Sequence, residues 1–176
     1  MDKPMTDSHF KSLCFMYKFR DFFLPRKSIL KEVDIKPGFQ ILDYGCGPGS
    51  YSVVAAQLAG ATGKVFALDI HPLALQRVKS AASKKGLTNI ETIQSDWATG
   101  LEDESMDVVF LYDILHDLSE PDSVLGELHR VLKPSGIMSV NDHHLKKDEI
   151  ISKVTGTGMF GLSAKGKRTY SFSKEQ

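Results

Sequence analysis

A glycine-rich segment, Gly45-Cys-Gly-Pro-Gly49, has the residue types needed to bind a nucleotide-like ligand. It follows an apolar, strand-like run at residues 39–43 and precedes a helix-like stretch at residues 51–59. Glycines allow close approach of the backbone and φ values barred to other residues, and the N–H groups at a helix start attract an electronegative group. The alternative is a tight turn that binds nothing.

Acidic residues follow three strand-like segments. Asp43 directly precedes the glycine loop, Asp69 lies 20 residues after Gly49, and Asp96 precedes Trp97. Because ligands of open α/β sheets bind outside the carboxyl ends of the strands, these acids are predicted to border one crevice.

Each acid has a role that suits an adenosine ligand. Asp69 can accept hydrogen bonds from both ribose hydroxyls, and Asp96 can accept one from the adenine amino group while Ile70 and Trp97 cover the ring. The alternatives are that Asp69 caps the following helix and that Trp97 fills the core.

The loop favours S-adenosylmethionine (SAM) over NAD. The third glycine, Gly49, comes one position earlier than in the dinucleotide-binding pattern. The Asp43 carboxylate suits a cationic amino-acid end and would repel a pyrophosphate. Alternatively, Asp43 caps backbone N–H groups.

Histidines follow the later strands. His116, just past residues 106–112, is the best candidate for a general base, because a neutral imidazole is available near pH 7. A packing role is the alternative, and His143 and His144 are second choices. No metal site is predicted, because HxxxH and CxxC spacings are absent and adjacent histidines on a strand point to opposite faces.

Strand-like and helix-like segments alternate along the chain, which predicts an α/β fold with a mainly parallel sheet. The helix after the fourth strand is predicted to stop at Pro134 and Gly136, with a fifth strand at residues 137–140. Residues 160–164 and 170–173 predict a closing antiparallel hairpin. The strands predicted before these are residues 39–43, 64–69, 90–96 and 106–112.

Residues 1–35 differ from the domain predicted at residues 36–176. They are predicted to form an amphipathic helical segment that either packs on the core or covers a substrate pocket as a lid. Its apolar residues are Phe10, Phe15, Met16, Tyr17, Phe19, Phe22 and Phe23.

Composition excludes several classes of protein. The 176 residues carry 22 basic and 22 acidic side chains, so the net charge of zero argues against a nucleic-acid binder. No apolar stretch of 18 residues or signal peptide is evident, which predicts a cytoplasmic protein without membrane contact. Cys14 and Cys46 have no metal-like spacing.

Several motifs resemble those of class I SAM-dependent methyltransferases, in particular the group that contains the ubiquinone/menaquinone-biosynthesis methyltransferases. The resemblance covers residues 36–142. The motifs are Ile41-Leu-Asp-Tyr-Gly-Cys-Gly-Pro-Gly-Ser50, Val65-Phe-Ala-Leu-Asp-Ile70, Asp107-Val-Val-Phe-Leu-Tyr-Asp-Ile-Leu-His116 and Leu125-Gly-Glu-Leu-His-Arg-Val-Leu-Lys-Pro-Ser-Gly-Ile137.

The resemblance implies a Rossmann-like three-layer α/β sandwich with a seven-stranded, mostly parallel sheet whose last strand is antiparallel. It also implies SAM as cofactor and assigns residues to its parts. Asp43, Gly45, Cys46, Gly47, Gly49 and Asp113 would lie at the methionine end, Asp69 at the ribose, and Ile70, Asp96 and Trp97 at the adenine.

The function expected from these features is methyl transfer from SAM to an acceptor, most simply a small molecule. Two alternatives stay open: a non-catalytic SAM-binding partner subunit and an NAD(P)-dependent oxidoreductase. The sequence does not specify the acceptor or the oligomeric state.

Overall fold

The computed structural model describes residues 6–23 and 26–175, and these residues contain a single seven-stranded sheet. Its strand order is β3-β2-β1-β4-β5-β7-β6. The strands are β1 Gln40–Tyr44, β2 Lys64–Asp69, β3 Ile90–Gln94, β4 Met106–Tyr112, β5 Leu132–Asn141, β6 Phe160–Lys165 and β7 Tyr170–Lys174.

Neighbouring strands among β1 to β5 pair in parallel, whereas β7 is antiparallel to both β5 and β6. The predicted sheet with its antiparallel last strand is therefore confirmed. The closing hairpin is also present as predicted, and it places β7 between β5 and β6.

Helices cover both faces of the sheet. They are α1 Asp7–Phe23, α2 Arg26–Leu30, α3 Ser50–Ala59, α4 Pro72–Lys84, α5 Pro121–Val131 and α6 Lys147–Thr155, with a 3-10 turn at Leu115–Asp117. None of the described helices is long and apolar enough to cross a membrane.

The apolar side chains of strand β4 pack against helices on both faces of the sheet. Val109 and Leu111 pack in a core with α5 and α6, whereas Val108 and Phe110 pack in a second core with α2 and α3. Because successive side chains of a strand point to opposite faces, a continuous apolar run is required where both faces are covered.

The predicted boundary between α5 and β5 is wrong. Helix α5 ends at Val131, not at Pro134 and Gly136, and β5 begins at Leu132 because that residue already pairs with Met106 of β4. A register shift between Met106 and Val108 accommodates the irregular start of β5.

Strand β3 ends at Gln94, opposite Asp69 where β2 also ends. Without a partner strand the ladder cannot continue. Asp96 and Trp97, predicted to end and follow this strand, therefore lie in the connection to β4.

The N-terminal helices contact the core through a few side chains. Phe10 and Cys14 of α1 are buried against Ala74 of α4, while Phe15 and Met16 are exposed. Ile29 and Leu30 of α2 join the core that contains α3. The side chains of Tyr17, Phe19, Phe22 and Phe23 lie outside the part of the chain that the structure describes.

A buried carboxylate attaches the β3–β4 connection to α5. Glu127 Oε1 accepts from the backbone N–H and the hydroxyl of Thr99, at 2.8 and 2.5 Å. Arg130 Nε donates to Glu127 Oε2 at 2.8 Å. The hydrogen bonds from Arg130 are the main reason that the pKa of Glu127 is lowered to about 2.

Replacing Glu127 by Gln should reduce the free energy of unfolding at pH 6 by about 1–3 kcal/mol, since the charge-assisted bonds are lost. The pKa of Glu127 is lower in the folded than in the unfolded chain, so its stabilisation is present above about pH 4.5 and fades as the pH falls toward about 2. Urea denaturation of both proteins at pH 6, 4.5 and 3 measures this. A difference in stability that stays constant with pH would contradict the assignment.

Candidate functional site

The glycine loop lies where the carboxyl ends of β1 and β2 meet. The backbone N–H groups of Gly45 and Cys46 both donate to the carbonyl oxygen of Leu68 at 2.9 Å. Gly45 and Gly47 have φ values of 72° and 52°, in the left-handed region that favours glycine. The loop is therefore held close to β2 by bonds that its backbone can form only in this conformation.

Gly49 has a second, steric constraint. Its φ is 84°, and a Cβ atom built on it would lie 2.7 Å from Cγ2 of Val78 in α4. The absence of a side chain allows α4 to pack directly against the start of α3. Gly49 thus shapes the site through helix packing.

Asp43 lies buried at the end of β1, below the first turn of α3. The Ser52 hydroxyl donates to its Oδ2 at 2.5 Å. Burial raises the pKa of Asp43 to about 6, the bonds from Ser52 oppose this rise, and the nearby Asp69 adds to it. A carboxylate in this state would be stabilised by a cation.

Asp69 connects the glycine loop with the start of α4. Its Oδ2 accepts from the N–H of Gly47 and its Oδ1 from the N–H of His71, both at 2.8 Å. Burial raises the pKa of Asp69, and these two hydrogen bonds work against the rise. The residue that caps α4 is His71, whose Nδ1 accepts from the N–H of Leu73 at 3.2 Å.

A cavity of about 340 Å³ opens at this edge of the sheet, within the size range of small-molecule sites. Phe10 of α1 borders the cavity and stacks on the His71 ring, with centroids 4.4 Å apart. The predicted residues that line it are Gly45, Gly47, Asp69, Ile70, Asp113, His116, His143 and His144.

A smaller recess of about 50 Å³ adjoins the cavity and shares Gly45, Gly47 and Asp113 with it. Its walls are completed by Asp43, Cys46, Pro48, Ser50, Tyr51 and Tyr112. The thiol of Cys46 is buried, which raises its pKa well above the ordinary value and makes it a poor nucleophile.

His116 forms a pair with a buried carboxylate. Its Nδ1 lies 2.8 Å from Oδ2 of Asp142, which also accepts the His116 backbone N–H at 3.0 Å. A carboxylate can only accept, so the bond places a proton on Nδ1 and leaves Nε2 as the basic nitrogen. Asp142 follows β5 and His116 follows β4, and the pairing of these strands brings the two residues together.

His143 and His144 line the same cavity as His116. Their ring centroids are 4.0 Å apart, and those of His116 and His144 are 4.1 Å apart. The expectation that adjacent histidines point to opposite faces is wrong here, because β5 ends at Asn141 and both follow in a turn. Nevertheless, no cluster with metal-binding geometry occurs among the described His, Cys, Asp and Glu residues.

Asp113 pairs with His143. Its backbone has a left-handed φ of 55°, and its Oδ1 lies 2.6 Å from Nδ1 of His143. Asp113 therefore borders the recess and also contacts one of the cavity histidines.

Asp96 and Trp97 are both exposed, and neither borders the cavity. The alternative that Trp97 fills the core is wrong, because 51% of its surface is accessible. The phenol of Tyr44 donates to the Trp97 carbonyl oxygen at 3.3 Å and connects this loop to β1.

Sequence reasoning gave no site role to His71 and did not pair Asp142 with His116, and it named Phe10 only among the apolar residues of the N-terminal segment. Phe10 and His71 close one side of the cavity, and Asp142 orients His116. Asp142 carried a usable signal, since an acid directly after a strand lies at the same sheet edge as the other site residues. No local pattern pointed to the contact between Phe10 and His71, which are far apart in the chain.

Comparison with known proteins identifies a family and a fold. A family described as a methyltransferase domain matches residues 35–172. The chain is 28% identical over 131 residues to a demethylmenaquinone methyltransferase of Geobacillus stearothermophilus, covering 74% of this chain and 56% of that protein. It is 30% identical over 111 residues to the ubiquinone/menaquinone biosynthesis C-methyltransferase UbiE of Paraburkholderia phymatum, covering 63% and 46%. The chain thus spans about half the length of these curated relatives.

Solved structures share the fold. A SAM-dependent methyltransferase from Aquifex aeolicus superposes with a TM-score of 0.81 at 24% identity, over 97% of this chain and 98% of that one. The [4+2]-cyclase SpnF superposes with a TM-score of 0.69 at 18% identity, over 79% and 57%. Because a cyclase has this architecture too, the fold alone does not specify the reaction.

Replacing Asp43 by Asn should raise the free energy of unfolding of the ligand-free protein at pH 8 by on the order of 2 kcal/mol. The pKa of Asp43 is higher in the folded than in the unfolded chain, so its ionisation costs stability as the pH rises from about 4 through about 6. Denaturation at pH 8 and at pH 4 checks this, with the two proteins converging at pH 4. A variant that is less stable than the wild type at pH 8 would contradict the expected sign.

Proposed function

Because the chain belongs to the methyltransferase-domain family, we propose that it transfers the methyl group of SAM to a small-molecule acceptor. The observation that carries this proposal is the cavity itself. It joins the glycine loop and Asp69 on one side to the His116–Asp142 pair on the other. A cofactor site and a proton acceptor thus face the same space.

The residues around the cavity and the recess match the chemical groups of SAM. The Asp69 carboxylate can accept from the two ribose hydroxyls, and Ile70 borders the cavity beside it. Asp43 and Asp113 border the recess and supply negative charge for the ammonium group of the methionine end. Gly45 and Gly47 border both spaces, and Cys46 borders the recess.

The exposed loop after β3 would complete the part of the SAM site that binds the adenine. We assign Asp96 to the adenine amino group and Trp97 to the ring, an assignment supported by their position at the carboxyl end of β3. Gly49 supports this site from behind by allowing α4 to approach α3.

When bound, SAM supplies a methyl group already activated by the positive sulfonium. The protein then has to hold the acceptor in line with that methyl group and exclude water. The stacked rings of Phe10 and His71 form one wall of the cavity and help to exclude water from it. In this assignment α1 acts as a lid as well as a packing element.

His116 is positioned to remove a proton from the acceptor. Asp142 holds Nδ1, so Nε2 receives the proton, and the buried carboxylate stabilises the imidazolium that results. A nearby carboxylate of Asp117, 3.5 Å from Nε2, adds to this stabilisation. This base would assist the methylation of an acceptor with a weakly acidic group, such as a ring hydroxyl, by removing its proton.

The curated relatives suggest where to search for the acceptor. Their names refer to demethylmenaquinone and to ubiquinone/menaquinone biosynthesis, so ring-hydroxylated quinone precursors are the first acceptors to test. We propose a cytoplasmic location for the protein.

Calorimetric titration with SAM, S-adenosylhomocysteine and NAD tests the cofactor assignment. Micromolar binding of the first two and no binding of NAD are expected. Replacing Asp69 by Asn should weaken SAM binding about 10-fold or more, because a charge-assisted acceptor of the ribose is lost. Asp117→Asn, in the same cavity near the histidines, should leave SAM affinity within about twofold. NAD binding in place of SAM would favour an oxidoreductase.

Replacing His116 by Ala should lower turnover about 100-fold or more while leaving S-adenosylhomocysteine affinity unchanged. Asp142→Asn should lower turnover as well and shift its pH profile, since the imidazolium loses its carboxylate. The release of S-adenosylhomocysteine with a panel of ring-hydroxylated acceptors measures both. His129→Ala removes a histidine outside the cavity and serves as control. SAM binding without turnover on any acceptor would support a non-catalytic SAM-binding subunit.

A further inference from the structure

Helix α4 carries basic side chains without acidic ones. Its 13 residues, Pro72–Lys84, include Arg77, Lys79 and Lys84 but no aspartate or glutamate, and Lys85 follows directly. The whole chain, in contrast, has 22 basic and 22 acidic residues. The charges are therefore separated locally, and cations gathered in this way repel one another unless an anion accompanies them.

A groove of about 500 Å³ between α3 and α4, the α3–α4 groove, is bordered by most of these cations. Arg77, Lys84 and Lys85 lie along it, together with the hydroxyl-bearing Ser50 and Ser80. None of the described residues that border the groove is acidic. Because a cleft lined by charges of one sign concentrates ions of the opposite sign, this groove attracts anions.

The three cations of α4 and its C-terminal cap that border the groove form no salt bridge with any described residue. The guanidinium carbon of Arg77 lies 5.9 Å from the centroid of the Phe10 ring, a contact that leaves its N–H groups able to donate to a ligand. Arg26 borders the groove as well, but its Nη1 already donates to the phenol oxygen of Tyr51 at 2.9 Å. The cations available to an anion are therefore those that follow Pro72.

The dimensions of the groove favour an extended ligand. Arg77 and Lys84 are seven residues apart on α4, which separates their Cα atoms by about 10 Å along the helix. A chain of linked phosphate groups matches this spacing better than a single phosphate does. Val53, Val54 and Ala81 provide an apolar surface beside the cations, and the volume is that of a small-molecule site.

We propose that the α3–α4 groove binds the polyphosphate group of a small ligand, either a nucleoside triphosphate or an inorganic polyphosphate. The planar guanidinium of Arg77 can donate to two phosphate oxygens at once, while the lysines act as point charges. The groove shares Pro48 and Ser50 with the recess, but it shares no residue with the cavity that the histidines line. The ligand is therefore distinct from SAM, and this site goes beyond the proposed methyl transfer.

Calorimetric titration of the full chain with inorganic tripolyphosphate and with GTP, in magnesium-free buffer of low ionic strength, tests the proposal. Both are expected to bind more tightly than orthophosphate, and added salt should weaken both because the cations are partly exposed. Tighter binding of GTP would identify a nucleotide as the ligand, whereas equal affinities would identify an inorganic polyphosphate. Saturation with S-adenosylhomocysteine should leave both probes bound.

Two variants remove one cation each from the groove. Arg77→Met and Lys84→Met should each weaken tripolyphosphate binding about 10-fold or more, because a charge-assisted contact is lost. Lys79→Met is the matched control, since it removes the same charge from the same helix at a residue that does not border the groove. This control should keep the affinity within about twofold. Circular dichroism verifies folding, and the exposed Lys84 carries the comparison if Arg77→Met is unfolded.

Several results would overturn the proposed site. These are no binding of either probe, unchanged affinity in the folded Arg77 and Lys84 variants, and equal weakening by Lys79→Met, which would show an effect of overall charge alone. Displacement of both probes by S-adenosylhomocysteine, or binding of single-stranded RNA without binding of either probe, would overturn it as well. The proposed methyl transfer is tested independently, by the binding of S-adenosylhomocysteine alone.

Discussion

The site depends on the carboxylate of Asp69. With one oxygen it accepts the N–H of Gly47 in the loop after β1, and with the other the N–H of His71 at the start of α4. One side chain at the end of β2 therefore holds in place the loop that approaches the cofactor and the helix that carries the cavity wall. Phe10 stacks on His71, so the N-terminal helix also depends on this arrangement.

Buried negative charge is the second constraint. Asp43 and Asp69 both have raised pKa values, because burial opposes their ionisation and each is near other acids or bonded only to neutral donors. Glu127, which is paired with Arg130, shows the opposite shift. The contrast separates a carboxylate that is paired with a cation from two buried carboxylates at the edge of the sheet, and raised pKa values of the latter kind are typical of functional sites.

The histidine side of the cavity follows from strand order. β4 and β5 are neighbours, so the segments that follow them meet, and Asp142 and Asp113 each accept from a histidine of the other segment. The same topology places these pairs beside the glycine loop, since β1 pairs with β4. The glycine loop and His116 therefore border one cavity, which the proposed methyl transfer uses.

The sequence by itself determined the elements that local patterns encode. Apolar runs predicted β2 and β4 with their observed bounds, and the order of the strands predicted that the glycine loop, Asp43 and Asp69 lie at one edge of the sheet. Local patterns misplaced the end of α5 and the start of β5, because pairing between Leu132 and Met106 overrides the helix-stopping residues.

Only the tertiary structure decided which side chains meet. The pairs His116–Asp142, Phe10–His71 and Arg26–Tyr51 join segments 25 to 61 residues apart. The hydrophobic periodicity and composition of a segment indicate which of its own side chains are buried. Contacts between segments depend instead on how the strands are ordered in the sheet. The chain itself therefore indicated which edge of the sheet brings the glycine loop and the histidines together, whereas the side chains that contact them there followed only from the fold.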